Sequence, residues 1–262
     1  MHAALCVLLA LPCPVTTAPN PNPTPVAADT IRLVVGSKEI DGRVYQPHAA
    51  RVRIRIGDGP VTTEWTNELT LGDSAGRRVM RWVTKGTRPA PNGGTMTWEL
   101  RQTYDLITLR PYGYHSTNSM GGLIQVAIDG NNVRGTKKGL NDAAAEPVDI
   151  TLDQPGFFAG ASDLLPAAVG FKPGKVVLAP FWSPAMTKAE MRVFSVIDKT
   201  PIEVEGERLE AWKVEEHRYS DKQLLATWYL LDKSPYMVYG EVPLPNGQTQ
   251  KMSEVAIPIS GK

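Results

Sequence analysis

The chain has 262 residues, and its 28 Lys and Arg residues against 27 Asp and Glu residues give a formal net charge of +1 at pH 7. The charge balance shows no basic excess, which argues against nucleic acid as a partner. The 23 Gly and 22 Pro residues recur between short segments of alternating apolar and polar residues. This pattern is typical of an all-β domain.

Residues 1–18 are predicted to be a secretory signal, because the apolar run Ala3–Leu11 is too short to span a bilayer and Thr17-Ala18 offers small residues for cleavage. The segment before the run contains His2 but no Lys or Arg. A start site placed too far downstream, or a chance apolar N-terminus, would also explain that composition. Residues 19–29, rich in Pro and Asn, predict a disordered tether.

Export places the mature protein in the periplasm or outside the cell. Residues 30–262 are expected to form a single β-rich domain, and no further apolar run approaches transmembrane length. Cys6 and Cys13 both lie within the predicted signal. The mature chain should therefore hold no disulfide, no thiolate nucleophile and no Cys-ligated metal, and no cofactor is expected.

A strict period of two marks the first strands after the tether. The clearest examples are residues 51–56, 61–71 and 96–104. The turn residues 57–60 (GDGP) close a hairpin that sets Val52 opposite Trp65 and Arg53 opposite Glu64. A slip of one residue would expose the apolar set of either strand, so the register should be firm.

Tryptophans sit at mirror positions about turn residues. Trp65 and Trp82 are equidistant from residues 72–75, and Trp82 and Trp98 flank residues 89–91 in the same way. These spacings predict a row of facing indoles, with Met80 opposite Leu100 beside it. Farther along the chain, Trp212 and Trp228 are centred on Ser220, which predicts that they also face each other.

The remaining strands are predicted with less regular alternation. They are expected at 108–112, 123–128, 133–136, 148–152, 176–181, 191–197, 208–217, 224–231, 236–244 and 249–257. Turns are predicted at residues 129–132 and 245–247, and the acidic residues 203–210 predict a solvated hairpin.

One segment, Phe157–Val169, is Ala- and Leu-rich and lacks alternation. It predicts a short or broken helix packed over an opening of the sheet, with Ser162 as N-cap and Gly170 at its end. Pro166 argues against a long helix. The predicted fold class is all-β with minor α: an antiparallel meander that forms a curved half-barrel or barrel-like sheet around this short helical segment.

The best catalytic candidate is the segment 112–122, predicted as a glycine-rich loop. It carries His115, Ser116, Asn118 and Ser119, which allows a serine-type hydrolase; a polar hairpin loop is the alternative. The histidines His48, His115 and His217 show no metal-ligand spacing, so no metal site is predicted.

Several short segments resemble a family of secreted bacterial domains of unknown function, the 3108-like family, which is similar in architecture to the Lol-type lipoprotein carriers. The likeness lies in residues 108–111 (TLRP), Asp129-Gly130 with Val133, residues 157–165, residues 206–213 ending in AWK, and residues 227–241 with Ser234-Pro235-Tyr236. The resemblance implies an antiparallel half-barrel wrapped around a helical element and no established catalytic residues. The long meander before residue 101 departs from it, and could belong to the same sheet or to a second layer.

Three functions follow from these patterns. The first is an exported non-enzymatic β protein that binds a hydrophobic or amphipathic small molecule or lipid on a Trp-lined face, under the segment 157–169 as a lid. Its expected binding residues are Trp65, Trp82, Trp98, Trp212 and Trp228. The second is an envelope interaction or structural module of unknown partner, in which these indoles only fill the core. The third is the serine-type hydrolase that uses the 112–122 segment.

Overall fold

The computed structural model describes residues 29–90, 93–140, 142–232 and 236–259. The predicted signal, the tether up to residue 28 and both cysteines lie outside the described residues. The strands are β1 Thr30–Arg32, β2 His48–Ile56, β3 Val61–Ser74, β4 Arg77–Pro89, β5 Thr95–Asp105, β6 Pro111–Asn118, β7 Leu123–Asp129, β8 Asn132–Lys138, β9 Glu146–Thr151, β10 Phe157–Phe158, β11 Val176–Trp182, β12 Glu190–Val204, β13 Glu207–Arg218, β14 Leu224–Leu230, β15 Met237–Pro243 and β16 Thr249–Ala256. One α-helix, α1 Leu164–Val169, and two 3₁₀ turns, Gly42–Val44 and Ala159–Ala161, complete the described elements.

All described strands belong to one sheet that curves but does not close. Its order is β11 to β16, then β2 to β9, with each neighbouring pair antiparallel. The last strand β16 pairs with β2, so the long N-terminal meander continues the same sheet and forms no second layer. The short strands β1 and β10 add to β11 in parallel. The predicted all-β class and curved antiparallel meander are confirmed.

The hairpin at residues 57–60 has the predicted register. Val52 pairs with Trp65 and Arg53 with Glu64. Two further predicted turns, at residues 129–132 and 245–247, also connect the strands expected there. In each case Gly and its polar neighbours specify the position of a short turn, and that position fixes the register of the two strands it connects.

The predicted facing of Trp65 and Trp82 is wrong. The β3–β4 turn is a two-residue connection of Ala75 and Gly76, with Ser74 paired to Arg77. Both turn residues have positive φ, 50° and 74°, as in a type I′ turn, whose twist suits paired strands. The register therefore shifts by four residues: Trp65 pairs with Gly86, and Trp82 with Leu69.

Two other predicted pairings also shift by an even number of residues. Across β4 and β5, Trp82 pairs with Gln102, and Met80 with Tyr104 rather than Leu100, because Pro89 pairs with Thr95 around a longer loop. Across β13 and β14, Trp228 lies opposite Val214, since a bulge interrupts the ladder at Glu216 and His217. Trp212 therefore pairs with Leu230. Even shifts keep each side chain on its predicted face.

The segment Phe157–Val169 is composite. Its first two residues form β10, and only Leu164–Val169 is α-helical. Pro166 is thus the third helical residue, where its missing N–H costs no helical hydrogen bond. The N-cap is Asp163 rather than the predicted Ser162, while Gly170, with φ of 80°, ends the helix as predicted.

This segment is buried and packs against the sheet, with Phe158 in ring contact with Tyr104, Tyr114 and Trp182. Five of the six α1 residues are buried. The Tyr45 hydroxyl donates to the Leu164 carbonyl, and the Asp41 N–H donates to the Ala168 carbonyl. The helix therefore forms part of the core. No helix within the described residues is long and apolar enough to cross a membrane.

The predicted loop 112–122 is wrong for most of its length, because β6 spans Pro111–Asn118. The strand expected at 108–112 begins only at Pro111. Asp105 accepts hydrogen bonds from the backbone and hydroxyl of Thr108, and Leu109 has a φ of 53°. A tight turn therefore occupies the first part of that stretch.

Candidate functional site

The inward positions of the sheet are apolar next to α1 and mixed elsewhere. Leu69, Met80, Tyr104 and Phe158 pack in the buried core. Along the same strands, however, polar side chains occupy inward positions that a packed core would fill with apolar ones. They are Thr63 and Asn67 of β3, Thr84 of β4, Gln102 of β5, and Gln250 and Glu254 of β16. These polar positions mark where the concave face lines cavities.

Trp65 and Trp98 meet over Gly86. Gly86 pairs with both residues, and the two rings lie edge to face with centroids 5.9 Å apart at 69°. A Cβ on Gly86 would come within 2.8 Å of the Trp65 Cβ and 3.0 Å of the Trp98 ring. A glycine within β4 is therefore what lets the two indoles come together.

We call the cavity on one side of this pair the basic compartment. It has a volume of about 350 Å³. It is lined from β3 to β8 by Thr63, Trp65, Arg88, Trp98, Leu100, Tyr114, Ser116, Thr117, Asn118, Gly122, Leu123, Ile124, Lys137, Lys138, Gly139 and Leu140. Its walls are largely aromatic and aliphatic, and its described charged residues are all cations.

We call the cavity on the other side the acidic compartment. It has a volume of about 230 Å³ and shares Trp65, Trp98 and Leu100 with the basic compartment. Its other lining residues are Asn67, Trp82, Thr84, Gln102, Ala159, Gly160, Ser162, Asp163, Trp228, Met237, Val242, Leu244, Gln250, Met252 and Glu254. Here the described charged residues are both carboxylates.

A chain of hydrogen bonds crosses four strands of the acidic compartment. The Trp82 Nε1–H donates to Thr84 Oγ1 at 3.2 Å, and Thr84 donates to Asn67 Oδ1 at 2.9 Å. The Asn67 amide makes a long contact of 3.5 Å with Glu254, and the other Glu254 oxygen lies 2.9 Å from His48 Nε2. The chain fixes the Glu254 carboxylate at the cavity wall and offsets the cost of its burial.

A second network fixes Glu216, which is 1% exposed. Its carboxylate accepts hydrogen bonds from Ser162 Oγ at 2.8 Å, Trp228 Nε1 at 2.8 Å and Arg192 Nη1 at 2.6 Å. The network therefore joins residues 159–163, which we call the inner segment, to β12, β13 and β14. It holds both the Trp228 indole and the turn that carries Asp163.

Asp163 is the least compensated carboxylate of this compartment, since it forms no ion pair with any residue within the described ranges. Burial, together with the charges of Glu254 and Glu216, raises the pKa of Asp163 to about 7. Burial also raises the pKa of the nearby Tyr45 and Tyr104 hydroxyls. Asp163 therefore changes its charge near neutral pH.

The structure brings four of the five predicted binding tryptophans to these cavities. Trp65 and Trp98 line both compartments, and Trp82 and Trp228 line the acidic one. Trp212 lies apart from both: its ring stacks on Phe171 with centroids 5.5 Å apart, and its Nε1–H donates to Asp232. Ligand binding by any of the five stays a prediction.

The hydrolase candidates do not converge. His115 and Ser116 are consecutive on β6, so their side chains point to opposite faces. Ser116 lines the basic compartment, whereas Ser119 Oγ accepts a hydrogen bond from the Thr97 N–H at 3.1 Å. Within the described part of the chain, no three His, Cys, Asp or Glu side chains are arranged to hold a metal ion.

Sequence reasoning missed the charged residues of both compartments. Asp163, Glu216 and Glu254 come from three distant segments, so no spacing relates them. One signal was present: in β16, Gln250 and Glu254 share the alternate positions with buried Met252. Polar residues on the apolar face of an amphipathic strand indicate a cavity or a buried network.

The fold defines the general class of this protein: an almost all-β domain whose large curved sheet encloses a short helical segment. No protein-family model matches the chain, and no curated protein matches it. Among solved structures, it is similar to a beta-barrel-like protein of domain of unknown function DUF1849 from Brucella abortus. The TM-score is 0.49 at 10% identity, and the match covers 82% of this chain and 98% of that chain. The resemblance to the 3108-like family and the lipoprotein carriers stays a prediction.

Proposed function

We propose that this protein is an exported, non-enzymatic β protein that binds a hydrophobic or amphipathic small molecule against Trp65 and Trp98. The observation that carries the proposal is that this indole pair borders a cavity of about 350 Å³ with largely apolar walls. Cavities of this order, lined by aromatic side chains and a few polar groups, are typical of small-molecule sites.

The indole N–H groups support the choice of this pair. A buried indole N–H usually finds an acceptor inside the protein. Trp65 and Trp98 donate to no residue that the structure describes, whereas each other tryptophan has an acceptor: Trp82 in Thr84, Trp182 in the Met186 carbonyl, Trp212 in Asp232 and Trp228 in Glu216. The N–H groups of Trp65 and Trp98 are not buried without an acceptor, and both side chains are half-buried, so these two indoles are accessible from the cavity.

The test is a titration of the delipidated protein with N-phenyl-1-naphthylamine, a neutral apolar fluorophore. We expect saturable binding that Trp98→Leu weakens by about tenfold, because an aromatic wall contributes on the order of 1 kcal/mol beyond its area. Trp212→Leu is the matched control and should bind as the wild type does. Absence of saturable binding, or equal loss in both variants, would overturn the proposal.

A second candidate, an envelope interaction module, rests on β9. This strand ends the sheet and pairs only with β8 among the described strands. Capture of an envelope protein that Val148→Pro abolishes, against a bare-resin control, would favour this candidate over ligand binding.

A further inference from the structure

The two compartments carry charges of opposite sign. The charged residues of the basic compartment are Arg88, Lys137 and Lys138, and those of the acidic compartment are Asp163 and Glu254, among the residues that the structure describes. Low-dielectric walls focus the electric field of such charges. A ligand that extends past Trp65 and Trp98 therefore has a positive potential at one end and a negative potential at the other. An anionic group is favoured only at the end that lies in the basic compartment.

The cations of the basic compartment are poorly neutralised. Arg88 and Lys138 form no ion pair with any described residue, and Lys137 lies 3.8 Å from Glu146 with both side chains mostly exposed. By contrast Lys85, on the same strand as Arg88 but on the outward face, lies 3.4 Å from Glu99. Of the cations of β4, Arg88 is the one that lines the cavity.

We propose that the ligand is an anionic amphiphile whose carboxylate or phosphate head group binds Arg88 and Lys137, which lie on the inward face of β4 and β8, with its apolar chain against Trp65 and Trp98. This inference rests on the proposed function and deepens it. A guanidinium binds either head group through two parallel hydrogen bonds, and an ammonium adds a second cation.

The opposite orientation is unfavourable. It would bring the anionic head toward the Glu254 carboxylate, which is 7% exposed and already hydrogen bonded to His48. Like charges in a poorly solvated site repel strongly. The head group therefore stays at the rim, where Lys137 is exposed to solvent, and the chain enters first.

Four ligands that share a dodecyl chain separate the head-group chemistry. Dodecanoate, dodecyl phosphate, dodecanol and dodecyltrimethylammonium are each used to displace N-phenyl-1-naphthylamine from the wild-type protein below their micelle concentrations. We expect at least one anion to bind about tenfold or more tightly than dodecanol, because charge-assisted hydrogen bonds form only with the anion. The preference should shrink as salt is added. Preference for the carboxylate or the phosphate identifies the head group.

Two double variants test which cations cause the preference for anionic ligands. Arg88→Gln/Lys137→Gln should lose the anion preference and keep binding of the neutral probe. The control Lys85→Gln/Arg134→Gln removes one cation from each of the same two strands outside the cavity, and should keep both.

The outcomes separate the two proposals. If the wild type does not bind the neutral probe, the proposed function fails. If it binds the probe but shows no anion preference, or prefers the cationic ligand, only the assignment of an anionic head group is overturned. Should the double variant fail to fold, the wild-type ligand series still decides.

Discussion

The basic and acidic compartments lie on one sheet face and share an indole pair, yet they are assembled differently. The walls of the basic compartment come from consecutive hairpins, β3 to β8. The acidic compartment is built from β3 to β5, from β14 to β16 and from the inner segment at residues 159–163. The cations of the basic compartment are half-buried or exposed, whereas in the acidic compartment Glu254 is buried and Asp163 half-buried. The difference shows how one alternating pattern produces two chemical environments.

The largest effect should come from Glu216, which ties the wall of the acidic compartment together. Glu216→Gln removes the buried carboxylate from Arg192, whose side chain is 14% exposed and which keeps only Glu190, at 3.2 Å, as an ion-pair partner. We expect a loss of roughly 3 kcal/mol in the free energy of unfolding, measured by urea denaturation. Glu99→Gln is the control beside the basic compartment, and should cost less than about 1 kcal/mol because its partners Lys85 and Arg101 are exposed. Equal losses of unfolding free energy in the two variants would contradict the stronger electrostatic role of Glu216 in the wall of the acidic compartment.

Gly86→Ala tests the indole pair that both compartments share. The added methyl would press on Trp65 and Trp98 at 2.8 to 3.0 Å, so we expect a loss of about 1–3 kcal/mol in unfolding free energy and weaker binding of the neutral probe. Gly113→Ala on β6 is the matched control, since its methyl would meet only the Val126 carbonyl at 3.5 Å. Thermal unfolding followed by circular dichroism gives the change in stability. Similar behaviour of the two variants would contradict the close approach of the indoles.

Asp163 predicts a pH dependence for the acidic compartment. Its pKa is about 7 in the folded protein against an ordinary value of 3.8, so between these values the folded state binds more protons than the unfolded state. Stability should therefore fall as pH rises through this window. Asp163→Asn should be more stable than wild type by about 1–3 kcal/mol at pH 8 and equal to it near pH 4. A variant advantage that does not change with pH would contradict titration of the buried Asp163 carboxyl as the cause.

Ser162→Ala should have the smallest effect. It removes one hydrogen bond to Glu216 while Trp228 and Arg192 still hold that carboxylate, so we expect a loss of about 1 kcal/mol. Ser119→Ala, near the basic compartment and exposed, should change unfolding free energy by less than about 0.5 kcal/mol. A loss at Ser162 as large as that at Glu216 would mean that the serine, and not the ion pair, holds the inner segment.

Sequence alone predicted the local features of this fold and missed the non-local ones. The residues 57–60 fixed the pairing of Val52 with Trp65 because only one short connection fits them. Near residue 74, two- and four-residue turns compete, and the choice shifted Trp82 away from Trp65. The faces remained as predicted because the shift was even. The pairing of β16 with β2 joins residues nearly two hundred positions apart, and no local pattern specifies it.

The same limit applies to the site. Trp65 and Trp98 were predicted from a period of two, which needs only the neighbouring residues. Glu254 and Asp163 meet across the sheet only after the inner segment enters its curve, and the cations of the basic compartment lie on β4 and β8 with three strands between them. Charged residues that are brought together only by the curvature of the sheet have no characteristic spacing in the sequence.

The most direct measurement is a crystal structure with a dodecanoate that carries bromine on its terminal carbon, using the anomalous signal of the halogen. We expect the bromine against the Trp65 and Trp98 rings and the carboxylate beside Arg88 and Lys137. Bromine found only at the outer surface of the sheet, or at no ordered position, would contradict binding at the indole pair.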